Sequence, residues 1–143
     1  MSKIHTFISL FLIVLAAGCF SGCSGNASVT GLVKFDDGTP LTIGEVIFES
    51  STLEARGPIN SSGKYAMETN KAGDGIPPGQ YRVYIGGAVE ATGKDISVGA
   101  RGDSRPEMRP VIDEKFTQPA TSGLTCDVKG SQKFDITVSK PSN

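Results

Sequence analysis

From Val29 onward the apolar residues recur at every second position in short runs, and each run stops at a turn. Val29-Thr30-Gly31-Leu32-Val33-Lys34-Phe35 sets Val29, Val33 and Phe35 on one side, and Asp36-Asp37-Gly38-Thr39-Pro40 ends it. Gly44–Ser50 sets Val46 and Phe48 against Glu45, Ile47 and Glu49. Asn60-Ser61-Ser62-Gly63 turns the chain into Lys64–Glu68, where Tyr65 and Met67 face together. In Gln80–Ile85, Tyr81, Val83 and Ile85 share a side opposite Arg82 and Tyr84. Leu124, Cys126 and Val128 alternate with Thr125, Asp127 and Lys129, and Phe134, Ile136 and Val138 with Lys133, Asp135 and Thr137. A period of two is the signature of a half-buried strand, because successive side chains leave a strand on opposite faces.

No 3.6-residue pattern is sustained anywhere after Gly18. The composition agrees: 25 of the 125 residues after Gly18 are Gly or Pro, which oppose helix interiors. Six strands are marked in this way. A seventh falls between Leu53 and Ile59 or near Val111–Phe116. Two antiparallel sheets bury their apolar faces against each other and leave their polar faces wet. The expected fold class is therefore all-β, a small antiparallel β-sandwich of about seven strands, with an open barrel as the alternative. The stretch 86–110 breaks the rhythm and is expected to be a long irregular surface loop. The alternative there is an excursion with one short strand at Asp95–Val98.

The first residues carry a different signal. Lys3 precedes an uncharged apolar run from Phe7 to Ala17. Eleven residues extend about 16 Å as a helix, well short of a hydrocarbon core of roughly 30 Å. Such a run fits a signal-peptide core. Ala16-Ala17-Gly18-Cys19 resembles the lipobox of bacterial lipoproteins, in which the cysteine thiol receives a diacylglyceryl group before cleavage. Cys19 abuts the apolar run and is the expected lipid acceptor; Cys23, after Phe20-Ser21-Gly22, is the alternative. The expected organisation is a signal peptide at 1–18, a flexible lipidated tether at 19–28 and a β-sandwich at 29–143. Lipid on Cys19 would hold the chain on a membrane without threading it through. Phe20 follows Cys19 where an Asp would suggest inner-membrane retention, so the outer membrane is favoured. Cys126 is read as a buried small apolar residue; its alternative is a disulfide with Cys23.

The order TGLVKFDDGTPL, GEVIFES, NSSGKYAM, PPGQYRVYI resembles the carboxypeptidase regulatory-like or transthyretin-like β-sandwich found in bacterial envelope lipoproteins. Its carriers are Val46 and Phe48, the Gly63–Tyr65 step, and Pro78, Gly79, Tyr81 and Val83. Lys115–Thr125 with Phe134-Asp135-Ile136 resembles small lipoproteins of planctomycete-type bacteria. The resemblance spans Val29–Lys140. It implies an immunoglobulin- or transthyretin-like sandwich and an envelope address, without a defined activity.

The residues offer little catalytic chemistry. The single His is His5, inside the expected signal peptide, so a mature chain lacks the base of a Ser-His-Asp or Cys-His site. The transthyretin-like hydrolases of 5-hydroxyisourate use histidines and a C-terminal Tyr-Arg-Gly-Ser signature, whereas this chain ends SKPSN. Asp36-Asp37 and Asp113-Glu114 lack the ligand spacing of a calcium loop and read as solvated turns. No metal and no cofactor is expected. With 14 Lys and Arg against 15 Asp and Glu, no nucleic-acid footprint is expected either. Arg101-Gly102-Asp103 matches a tripeptide read by animal integrins, and its bland reading is an exposed turn.

The resulting expectation is a non-enzymatic lipoprotein of the bacterial cell envelope, acting as a structural or protein-interaction module. Its partners would be the membrane and an envelope protein or polysaccharide. The contact is placed on 86–110, with Arg101, Asp103, Arg105, Glu107 and Arg109 as candidate residues, and on the neighbouring Val111–Thr117. The alternatives are a carbohydrate- or peptide-binding module, which needs aligned exposed aromatic rings, and a small hydrolase, which needs a deep pocket with paired carboxylates. Tyr84 and Ile47 are either exposed apolar contacts or covered by a neighbouring loop.

Overall fold

A computed structural model describes residues 25–142. The expected signal peptide, His5, Cys19, Cys23 and most of the tether lie outside the described residues. The described residues form ten strands. They are β1 (Val29–Phe35), β2 (Glu45–Glu49), β3 (Glu54–Pro58), β4 (Lys64–Ala66), β5 (Gly79–Gly86), β6 (Val89–Val98), β7 (Asp103–Pro110), β8 (Leu124–Val128), β9 (Gln132–Lys133) and β10 (Ile136–Val138). One 3₁₀ turn spans Glu114–Thr117.

The first sheet runs β10-β1-β4, with β9 also on β1. The second runs β3-β2-β5-β8 and is antiparallel throughout. They meet at one corner, where Arg56 and Glu68 exchange backbone hydrogen bonds. Val29, Val33, Tyr65, Met67, Ile136 and Val138 of the first layer join Val46, Phe48, Val83, Ile85 and Val128 of the second in one buried cluster. The alternation read in the sequence is the alternation of burial along β1, β5 and β8. At the centre, the Phe48 ring lies 5.7 Å from Tyr81 and 5.9 Å from Phe134, both angled as aromatic pairs prefer.

β9 and β10 are one strand interrupted at Phe134-Asp135. Both pair with β1 in parallel and in the same register. At the break the Asp135 carboxylate replaces a ladder bond by accepting from the Leu32 amide at 2.9 Å, and the Tyr65 hydroxyl donates to the Phe134 carbonyl at 2.6 Å. The chain passes so close there that a Cβ on Gly31 would run into that carbonyl oxygen.

The seventh strand falls at Glu54–Pro58, inside the expected Leu53–Ile59, whereas the alternative at Val111–Phe116 runs into the 3₁₀ turn at Glu114–Thr117, with the Asp113 carboxylate capping the Lys115 amide. One expectation needs correction. The stretch 86–110 is not an irregular loop. It forms β6, the longest strand among the described residues, and β7, paired as a separate two-stranded hairpin; the short strand given as the alternative at Asp95–Val98 falls inside β6.

Candidate functional site

Asp103, Arg105, Glu107 and Arg109 stand at every second position, separated by Ser104, Pro106 and Met108 and followed by Pro110. That spacing puts the four charges on one face of β7. β6 pairs with them antiparallel: Val89 opposite Pro110, Glu90 opposite Arg109, and, beyond a bulge, Ile96 opposite Arg105 and Val98 opposite Asp103. In the bulge, Thr92, Gly93 and Lys94 face Glu107 alone. The Thr92 hydroxyl closes it by donating to the Glu107 carboxylate at 2.8 Å. At the tip, Gly99 and Gly102 take positive φ around Ala100 and Arg101, which Cβ-bearing residues rarely adopt.

Arg109 holds Glu90 across the ladder, with Nη2 at 2.6 Å and Nε at 2.8 Å from the same carboxylate oxygen. Arg101, Asp103 and Arg105 make no ion pair among the described residues. All five candidates thus fall on one arm, at its tip and along one face. Sequence reasoning missed the β6 side of that arm: Glu90, Thr92, Lys94 and Ile96. The available signal was the two-residue spacing of the charges in β7.

The arm leaves the end of the sandwich opposite the entering chain. Ala27 pairs with Ile76 at one end, close to the start of β5. Seven residues later, about 23 Å along, β5 reaches Gly86, where Ala88 and Ile112 clasp the base through Val111 N–H to Ala88 O at 3.0 Å. Ala88 and Ile112 belong to the buried core; of the residues between them only Val111, at the base, packs against it. Among the described residues the large apolar side chains left exposed are Ile43, Ile96 and Met108. Ile96 and Met108 lie on the arm. Ile43 lies beside its base, in an 810 Å³ open groove formed with Phe35, Leu41, Arg109, Pro110 and Pro141.

A second depression, 490 Å³, lies on the opposite edge among Glu49, Tyr81, Arg82, Cys126 and Asp127. Arg82 neutralises Glu49 at 3.0 Å. Burial pushes the Cys126 thiol up, and its Sγ accepts from the Gln132 amide at 3.1 Å. A thiol kept protonated in this way is a poor nucleophile. Asp37 is engaged by the Lys140 ammonium at 2.8 Å and the Thr39 hydroxyl, which hold its carboxyl well below the usual carboxylate range. Among the described residues no group of three or more His, Cys, Asp or Glu is placed to hold a metal ion.

Ile47 points to the outer face of the second sheet yet is buried, flanked by Arg56 and Tyr84 on the neighbouring strands and by Gly86. The covered reading is the right one for Ile47, with strand neighbours rather than a loop as the cover. Phe48, Tyr65, Tyr81 and Phe116 are buried, and Phe35, Tyr84 and Phe134 half-buried, so the described rings form no exposed platform for stacking a sugar.

These features define an all-β domain of sandwich type with a polar hairpin arm, and among its described residues no helix is long and apolar enough to cross a membrane. Searches against protein-family models, curated proteins and solved structures returned no match.

Proposed function

We propose that this chain is a non-enzymatic, lipid-anchored protein of the bacterial cell envelope whose sandwich presents the β6–β7 arm to a protein partner. The observation that carries this reading is that the core passes from Ala88 to Ile112 and buries no residue of the β6–β7 arm between them, with only Val111, at the base, packed against it. A segment that adds no burial to its own domain does not serve that domain's stability. The lipid part of the reading rests on Ala16-Ala17-Gly18-Cys19 after the apolar run. Entry of the chain at one end and departure of the arm at the other suit a tethered module that reaches away from its anchor.

Two experiments test it. In the first, residues 90–109 are replaced by Asn-Gly, a pair that turns tightly between Val89 and Pro110. The shortened protein should keep its thermal midpoint and lose the proteins that cross-link to the intact chain in living cells. An unchanged set of cross-linked proteins, or loss of folding, would overturn the arm as the contact surface. In the second, mass spectrometry of the membrane-associated protein should find diacylglyceryl on Cys19. Lipid on Cys23 would move the site, and an unmodified soluble chain would reject the anchor.

A further inference from the structure

The two edges of the arm are not alike. In an antiparallel ladder, residues alternate between those that bond to the partner strand and those whose N–H and C=O point outward. Val111 N–H bonds to Ala88 O, which fixes the phase: Arg109, Glu107, Arg105 and Asp103 bond inward, and Ser104, Pro106, Met108 and Pro110 face out. Two of those four outward positions are proline and have no N–H to offer. The free edge of β7 is therefore closed to strand addition. On β6 the outward groups belong to Val89, Ala91, Asp95 and Ser97, none of them proline. The bulge at Thr92–Lys94 limits the regular part of that edge to its outer half.

We propose that the open edge of β6 pairs antiparallel with the same edge of a second copy of this chain, about a two-fold axis at Ile96, so that two hairpins make one four-stranded sheet. This rests on the reading of the arm as the contact surface and names its partner. The axis follows from the outward groups: Asp95 of each copy exchanges both hydrogen bonds with Ser97 of the other. Ile96 then meets its counterpart as a non-bonded pair, the closer of the two pair types, and an apolar side chain that is 37% exposed in the single chain leaves water. Lys94 comes beside Val98 of the other copy, one strand from Asp103. Among the described residues Lys94 and Asp103 have no ion-pair partner in their own chain, and this register sets Lys94 two strands, about 10 Å, from Asp103 of the other copy, an opposite charge that a lysine side chain can reach toward. An axis at Asp95 would instead set two like carboxylates face to face. The closed β7 edges end the assembly at four strands, so it is a dimer and not a fibre. The contact is short, and confinement of both chains to one membrane would raise their effective concentration.

Disulfide trapping of the full-length chain in its own membranes tests the proposal. In a background carrying Cys23→Ser and Cys126→Ser, Ile96→Cys should give a disulfide-linked dimer on a non-reducing gel, because paired Cα atoms about 4.5 Å apart lie within bonding range. Arg105→Cys, one strand further from the axis, should give about tenfold less, since its Cα atoms would sit well beyond the 7 Å limit. Adding Ser97→Pro to Ile96→Cys removes an outward N–H and leaves the hairpin's own ladder intact; it should abolish the dimer. Equal trapping at Ile96 and Arg105, or trapping that survives Ser97→Pro, would overturn the paired edge. Trapping of Ile96→Cys only to a different protein would overturn the second copy while leaving the arm as a contact surface. Failure of the arm itself would show separately, as unchanged cross-linking after residues 90–109 are removed.

Discussion

The sandwich and its arm are both built from strands, yet different forces hold them. In the sandwich, Phe48, Val46, Val83 and Ile85 are fully withdrawn from water between two layers. In the arm, ten residues of β6 and eight of β7 expose both faces, and only backbone bonds, the Thr92–Glu107 contact and the Glu90–Arg109 pair tie them together. An isolated two-stranded ribbon is marginal in water. The arm keeps its shape because Ala88 and Ile112, both buried, clasp its base. Burial and strand conformation are thus separable in this chain, and the arm has the second with almost none of the first.

That separation can be broken by measurement. The largest effect belongs to Phe48→Ala, which removes a wholly buried ring touching Tyr81 and Phe134. Urea unfolding should show a loss of about 3–5 kcal/mol. A loss below about 1 kcal/mol would mean that the two layers do not share one packed core.

An intermediate effect is expected at Asp74, in the loop before β5. Its carboxylate accepts from the Thr69, Asn70 and Lys71 amides and from the Thr69 hydroxyl. The backbone donors lower it from an ordinary 3.8 to about 2. A lowered carboxylate stabilises the fold fully above its unfolded value and loses that contribution as pH falls through its folded value. Asp74→Ala should therefore be less stable than the parent at neutral pH and converge with it between pH 4 and 2, as read from urea midpoints across that range. A gap that persists below pH 2 would show that the loop needs the side chain and not its charge.

The smallest effect is expected at Arg109→Ala. Its pair with Glu90 is exposed on both sides, and such pairs contribute about 0.5 kcal/mol or less. A loss approaching that of Phe48→Ala would erase the distinction between body and arm.

Most of the sandwich was legible because its alternation is one of apolar against polar, which is what facing layers require. Val29–Phe35 and the facing set Tyr81, Val83 and Ile85 emerge in the structure as they read in the chain. The arm was illegible for the same reason. Its alternation in β7 is of charged against uncharged residues, and a search for buried faces passes over it. The five candidate residues could be named from their chemistry, but the common face of Asp103, Arg105, Glu107 and Arg109 required the strand. Ile47 shows a further limit: its outward direction follows from period two, while its cover of neighbouring side chains depends on strand order.

The residues of one chain thus settled the class of fold, the turns, and the apolar face of each core strand, because those follow from local geometry and from burial. Partners distant in the chain were decided only in three dimensions. β1 lies between β4 and the split strand β9–β10, which arrives about a hundred residues later, because Gly31 leaves room for its backbone. The arm stands out from the sandwich with Val89, Ala91, Pro106, Met108 and Pro110 on one of its faces, none of them buried against the layers. Local periodicity carries no record of such long-range choices, since each is made by complementarity between surfaces that exist only after the strands have formed.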